Sequence, residues 1–309
     1  MQPVGDGLIK RLFMPFSCLT LLWGLCGSAL AGYNIVVVQS MDVLPYEEAL
    51  NGFKSICDGP VTRVVLSEMG GKDPLKMIEQ VSPDLVLAIG RGGLSIATGL
   101  GGIPVISVMV TDPGPALSEK GNIHAVRMNI SPDKELGILL KMLPESRVIG
   151  ILYDPEKSGR LFEDIKRAAR KRGIRLVAKQ VLTAKNVPSL ITDMKGRIDL
   201  FWMLPDTTVI NPETIQFIFL SFVESRVPIL TFSEKYLDMG ALVSISMDAY
   251  DMGRQAGDMA NRILSSGLGG AGAVQVDARK AVVSVNVNVA RKLGIDIADT
   301  YKREVRLIR

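Results

Sequence analysis

LVLAIGRGGLSIATGLGGIPVISVMVTDP runs from Leu85 to Pro113. An apolar run from Leu85 to Ile89 ends in a Gly-rich turn. A small-residue helix follows, and Pro104 opens a second apolar run. Short Val/Ile-rich runs separated by helices predict βαβ units and a parallel sheet. The glycines let a ligand approach the backbone, and the first helical turn offers free N–H groups, so the corner suits an anion. Arg91 sits in that turn, where a guanidinium could clamp a carboxylate in bidentate fashion. The same residues also read as a tight strand-to-helix turn with Arg91 facing solvent.

The alternation continues on both sides. Upstream, NIVVVQS (34–40) and VTRVVLSE (61–68) read as strands. PYEEALNGFKSIC (45–57) and DPLKMIEQVSP (73–83) read as helices, the second with Asp73 as N-cap and Pro74 in its first turn. Downstream, strands are expected at RVIGILYDP (147–155), RLVAKQVLT (175–183), DLFWMLP (199–205), PILTFSE (228–234) and ALVSISMD (241–248). DKELGILLKMLP (133–144), SGRLFEDIKRAARKRG (158–173) and AYDMGRQAGDMANRILSSG (249–267) are among the helices between them. GLGGAGA (267–273) reads as a surface loop. Two successive α/β units predict two Rossmann-like lobes, each with a parallel sheet covered by helices. Their break falls at about residues 122–135, where no Pro/Gly/Ser linker stands. The lobes are therefore expected to be joined by extended crossing strands, as in a hinge.

The chain has 309 residues with 47% hydrophobic and 22% charged, a globular composition. Its net charge of +4 marks neither a nucleic-acid surface nor a polybasic membrane patch. Lys10 and Arg11 precede LFMPFSCLTLLWGLCGSALA (12–31). That apolar stretch is broken by Pro15, Ser17, Thr20 and Gly24, and ends in Ala29-Leu30-Ala31. A membrane span wants roughly 20 mainly apolar residues. The stretch reads instead as a secretory signal peptide, residues 1–31, cleaved after Ala31. The expected location is periplasmic or at the cell surface. Cys18 and Cys26 leave with the signal, so Cys57 has no intramolecular partner. In FKSIC it reads as a small buried hydrophobe.

Several chemistries are excluded or disfavoured. His124 is the only histidine, so a His-rich zinc site is absent, and cysteine cannot supply one. No G-x-S-x-G elbow offers a nucleophile, and no G-x-x-x-x-G-K-[ST] loop is present. GRGGLS carries Ser95 where a third dinucleotide glycine would stand. No enzyme activity, cofactor or metal is expected.

In open α/β sheets the ligand lies beyond the carboxyl ends of the strands. Those ends carry Gln39 and Ser40; Gly90, Arg91 and Gly92; Asp112; Tyr153, Asp154 and Ser158; Asp206 and Thr207; Ser233; and Asp248 and Tyr250. Each alone is most often a cap or turn residue. Together they describe an acceptor-rich cleft with one arginine and two tyrosines, suited to a small zwitterion or a polar molecule with a cationic group. Asp206 and Asp248 are candidates for an ammonium, and the Gly90–Gly93 turn with Arg91 for a carboxylate.

At this point the chain resembles the ABC-transporter substrate-binding proteins of the type I periplasmic class, in the branch that includes tryptophan-binding lipoproteins. The carrying blocks are LAIGR, GIPVISVMVTDP, MLPESRVIGILYDP, LPDTT, SMDAYDMGRQAGDMA and VSVNVNVARKLGI, in the family's order and spacing. The departures are Arg91, where the family has a small hydroxyl residue, and Asp154, where it has asparagine. The resemblance implies three crossings between lobes, with lobe 1 at 32–127 plus 247–275 and lobe 2 at 128–246 plus 276–309. It carries Asp112, Tyr153, Ser158, Asp206, Ser233, Asp248 and Tyr250 over as cleft positions. It implies capture of a small polar molecule, an amino acid or related carboxylate, by hinge closure, with delivery to an ABC permease. A monomer is the default for the class. An alternative with the same fold is a ligand-sensing partner of a membrane receptor or kinase, without transport.

Overall fold

The chain divides into two compact units, Met1–Ala31 and Gly32–Arg309. The computed structural model describes residues 33–57, 59–110, 121–266, 272–295 and 305–308, all in the second unit. The signal-peptide reading, Asp112 and most of the 267–273 loop lie outside them.

The first sheet holds β1 (Ile35–Gln39), β2 (Val61–Val65), β3 (Leu85–Ile89), β4 (Val105–Val108), β5 (Ile123–Arg127) and β11 (Gln275–Asp277), in the order β11-β5-β4-β3-β1-β2. All its pairings are parallel. Both faces are covered, so β1 is buried throughout. Its side chains alternate: Ile35 and Val37 join one apolar cluster, Val36 and Val38 the other. The helices flanking this sheet are α1 (Leu44–Lys54), α2 (Pro74–Val81), α3 (Gly90–Ala97) and α8 (Ala249–Ser266). Asp73 caps α2 by accepting from Leu75 N at 3.0 Å, the expected geometry.

The second sheet holds β6 (Val148–Tyr153), β7 (Arg175–Gln180), β8 (Leu200–Trp202), β9 (Ile229–Thr231), β10 (Val243–Met247), β12 (Ala281–Asn286) and β13 (Arg306–Ile308), in the order β13-β12-β10-β9-β8-β6-β7. Its helices are α4 (Pro132–Met142), α5 (Pro155–Lys171), α6 (Val187–Met194), α7 (Ile215–Glu224) and α9 (Val287–Leu293). One pairing, β10 with β12, is antiparallel. The chain leaves this sheet at the carboxyl end of β10, visits the first sheet through α8 and β11, and returns from that same end, so β12 must run the opposite way.

The chain passes between sheets after β5, after β10 and after β11. The first and third passages start side by side, because Arg127 and Asp277 are register partners joined by an ion pair of 2.7 Å. His124 is buried in β5, where its Nδ1 accepts from Val274 N at 3.2 Å. Burial lowers its pKa. Among the described residues no helix is long and apolar enough to cross a membrane.

Candidate functional site

A cavity of about 750 Å³ lies where the two sheets' strand ends meet the crossings. That is the size range of small-molecule sites. From the first sheet's side come Pro45 and Glu48 of α1, Met109 beyond β4, and Ala249 and Tyr250 at the start of α8. The crossings add Met128, Asn129, Ile130, Met247 and Asp248. From the second sheet's side come Glu135 of α4, Trp202 and Met203 at the end of β8, Phe232, Ser233 and Glu234 after β9, and Arg306 of β13. The walls are thus largely apolar, with aromatic rings from both sides and four methionines that can repack around a guest. Met109 has φ +58°, a strained conformation for a side-chain-bearing residue, and it lies at this wall.

The polar groups divide into paired and unpaired. Asp248 meets Lys280 Nζ at 2.6 Å and accepts from Asp251 N at 2.9 Å, which starts α8. Burial raises its pKa, but the bonds from Lys280 and Asp251 and the charges of Lys280 and Arg306 outweigh that and leave it lowered. Glu234 accepts from Ser284 Oγ at 2.5 Å and lies 3.6 Å from Arg306. Glu135 differs. It stands in the first turn of α4 after Ser131 and Pro132, and no described group bonds its carboxylate. Burial pushes it up to about 8.

Of the strand-end candidates, the structure brings Ser233, Asp248 and Tyr250 to this cavity. It holds the others elsewhere. Ser40 Oγ donates to Ile89 O at 3.1 Å and accepts from Gly93 N at 3.0 Å, so a side chain satisfies the start of α3. Gly90 has φ +81°, and a Cβ there would come within 2.5 Å of the Tyr46 hydroxyl. The Gly90, Arg91 and Gly92 turn is therefore a packed strand-to-helix corner, and Arg91 is exposed. Tyr153 belongs to the core: it stacks on Phe162 with centroids 4.0 Å apart, and its hydroxyl accepts from Gln180 Nε2. Thr207 is exposed beside a separate shallow depression near Asn211.

Asp206 is buried and accepts four bonds: from Asp154 N at 2.7 Å, Thr208 N at 2.9 Å, Val209 N at 3.2 Å and the Ser158 hydroxyl. These occupy its lone pairs and tie the end of β8 to the start of α5. Its place as an ammonium ligand is corrected accordingly, and Ser158, spent on Asp206, moves with it.

Glu135, Trp202, Phe232 and Met109 were not among the sequence candidates. Glu135 reads in sequence as an ordinary acidic residue in the first turn of a helix. Trp202 and Phe232 read as strand core. The signal that could have found Glu135 is its position, one helical turn after a crossing.

Comparison with known proteins agrees with this architecture. The family model described as ABC transporter substrate binding protein matches residues 73–305. A tyrosine-binding protein of Clostridioides difficile (strain R20291) is 27% identical over 172 residues, 52% of this chain and 49% of that protein. The match thus spans about half the length of the curated relative. The ligand-free, open structure of a substrate binding protein with adhesive properties from Clostridium difficile superposes with TM-score 0.70 at 20% identity, covering 90% of this chain and 99% of that one. The ABC domain in complex with L-Trp from Streptococcus pneumonia gives TM-score 0.56 at 21% identity, over 89% and 100%. These two likenesses speak to fold. With two α/β lobes, crossing strands and a cavity where they meet, this chain belongs to the ABC transporter substrate binding protein family and has the type I periplasmic binding protein fold.

Proposed function

We propose that the chain is the extracytoplasmic receptor of an ABC importer, and that it captures a small amine-bearing organic molecule between lobes at 32–127 plus 247–275 and 128–246 plus 276–309. The observation that carries this reading is the 750 Å³ cavity whose wall is shared by both sheets and the crossings. A guest touching only one side gains half the contacts. A guest touching both binds the closed arrangement better than the open one, and that difference shifts the population toward closure. The permease would then read the closed surface, with the receptor acting as a monomer. The chemistry is binding, not turnover. Trp202, Phe232 and Tyr250 would flank a flat body, and Ser233, Asp248 and Glu135 would supply polar contacts. The relatives that bind tyrosine and L-Trp, each an aryl group with an amine, support that class.

Small-angle scattering on the chain from Gly32, with a panel of amino acids and amines first ranked by thermal shift, tests the reading. A ligand that raises the melting temperature is expected to reduce the radius of gyration by about an ångström. A stabilising ligand that leaves the scattering curve unchanged contradicts closure.

A further inference from the structure

The cavity's charges are unbalanced. Among its described lining residues, Glu48, Glu135, Glu234 and Asp248 stand against Arg306 alone. Arg306 is exposed and already lies beside Glu234, and Asp248 is held by Lys280. That leaves Glu48 and Glu135 without a described partner, and of these Glu48 is exposed, whereas Glu135 stands in a wall otherwise made of Trp202, Leu161, Ile130 and their neighbours. An isolated carboxylate in apolar surroundings is costly unless something pairs with it. A carboxylate on the guest would gain nothing from Glu135, and Arg306, the one cation among the described lining residues, already lies beside Glu234.

We infer that the ligand is a net organic cation, a primary ammonium on a flat apolar body, and that Glu135 is the residue its ammonium docks on. This rests on the solute-binding reading above and narrows it: the amine is read, and an α-carboxylate is a hindrance. An ammonium within hydrogen-bond reach gives Glu135 the partner the free protein lacks, while Trp202 and Phe232 take the apolar body.

The inference has a proton signature. In the free protein burial holds Glu135 at about 8, so at pH 7 it is mostly protonated. An ammonium binds the ionised form, and a primary amine stays charged up to about pH 10. Binding at pH 7 therefore releases a proton, and affinity strengthens as pH rises toward 8, then levels. The other charged or titratable groups at this wall are Glu48 from α1, Asp248 and Tyr250 at α8, Glu234 after β9 and Arg306 from β13. Paired Asp248 is already held low and does not titrate in this range.

The test is titration calorimetry with tyramine, tyrosine and 4-hydroxyphenylacetate, which keep the aryl group and vary the charges. Wild type, Glu135→Gln and the exposed control Glu145→Gln are compared at pH 6, 7 and 8 in buffers of different ionisation enthalpy. Tyramine is expected to bind most tightly and the acid not at all. Tyramine binding should gain roughly ninefold from pH 6 to 7 and roughly fivefold from pH 7 to 8, and release close to one proton at pH 7. Glu135→Gln should lose on the order of 30-fold or more in tyramine affinity and all of the proton release, with Glu145→Gln unchanged. Because wild type carries the pH signature by itself, the test survives a variant that folds poorly. Tighter binding of tyrosine or of the acid, a flat pH profile, or retained affinity in Glu135→Gln overturns the inference and leaves solute binding standing. Failure of all three probes also overturns it. If, in addition, no solute is found with the purified protein, the broader reading falls too.

Discussion

Asp206 and Glu135 are both carboxylates of the second lobe, and their surroundings give them opposite tasks. Asp206 is buried with its oxygens spent on Asp154 N, Thr208 N, Val209 N and Ser158. Glu135 borders the cavity with no described partner. Removing the first should damage the lobe and not the site. Asp206→Ala leaves buried donors without acceptors, which costs about 3 kcal/mol. The expected result is a lower unfolding midpoint in urea with unchanged ligand affinity in the folded fraction. Equal stability with lost affinity would return Asp206 to the binding site. This division was not legible in the sequence. LPDTT and SPDKE both read as acidic residues near element ends, and although Thr208 N and Val209 N are local donors to Asp206, nothing local says which carboxylate a distant segment also encloses. That is settled by contacts such as Asp206 with Asp154, 52 residues away in the chain.

Helix α8 sets the position of Asp248, Ala249 and Tyr250, so its seat matters to the cavity. It lies against α1 at backbone distance. A Cβ on Gly253 would fall 1.9 Å from Ala49 O, and one on Gly52 would fall 1.9 Å from Tyr250 O. Gly253→Ala must therefore push the helices apart. A loss of about 2 kcal/mol or more is expected, lowering Tm by several degrees, together with weaker ligand binding. Gly101→Ala, which meets nothing within 4 Å, is the control. A Gly253→Ala protein with wild-type Tm would mean that the two helices are not locked together. At this scale the sequence was informative. The long apolar strands and capped helices emerge where read, since burial on both faces leaves an unbroken apolar run. The edge strands β11 and β13 and the antiparallel return of β12 did not, because their pairing depends on distant partners.

For the whole molecule, the architecture and the site follow from one fact of connectivity. Three passages between two sheets leave a cavity beside the crossings, reachable from both lobes. The resemblance implied three crossings, and the chain passes between the two sheets three times. The cavity wall was only partly legible: Ser233, Asp248 and Tyr250 line it, while Ser40, Gly90, Tyr153, Ser158 and Asp206 serve turns, caps and core. In both lobes a side chain bridges the first and third strands of the unit at their carboxyl ends, Ser40 to Gly93 and Asp206 to Asp154.

Native mass spectrometry of the gently purified chain from Gly32 to Arg309 asks whether the cavity captures a solute. A fraction of molecules should carry one small extra mass, lost on partial unfolding and dialysis and restored by adding the released solute. This solute is expected to be a basic amine with a flat apolar portion. A protein that carries no such mass, and that no compound in a broad solute library then stabilises, would contradict the claim that this cavity is a solute-binding site.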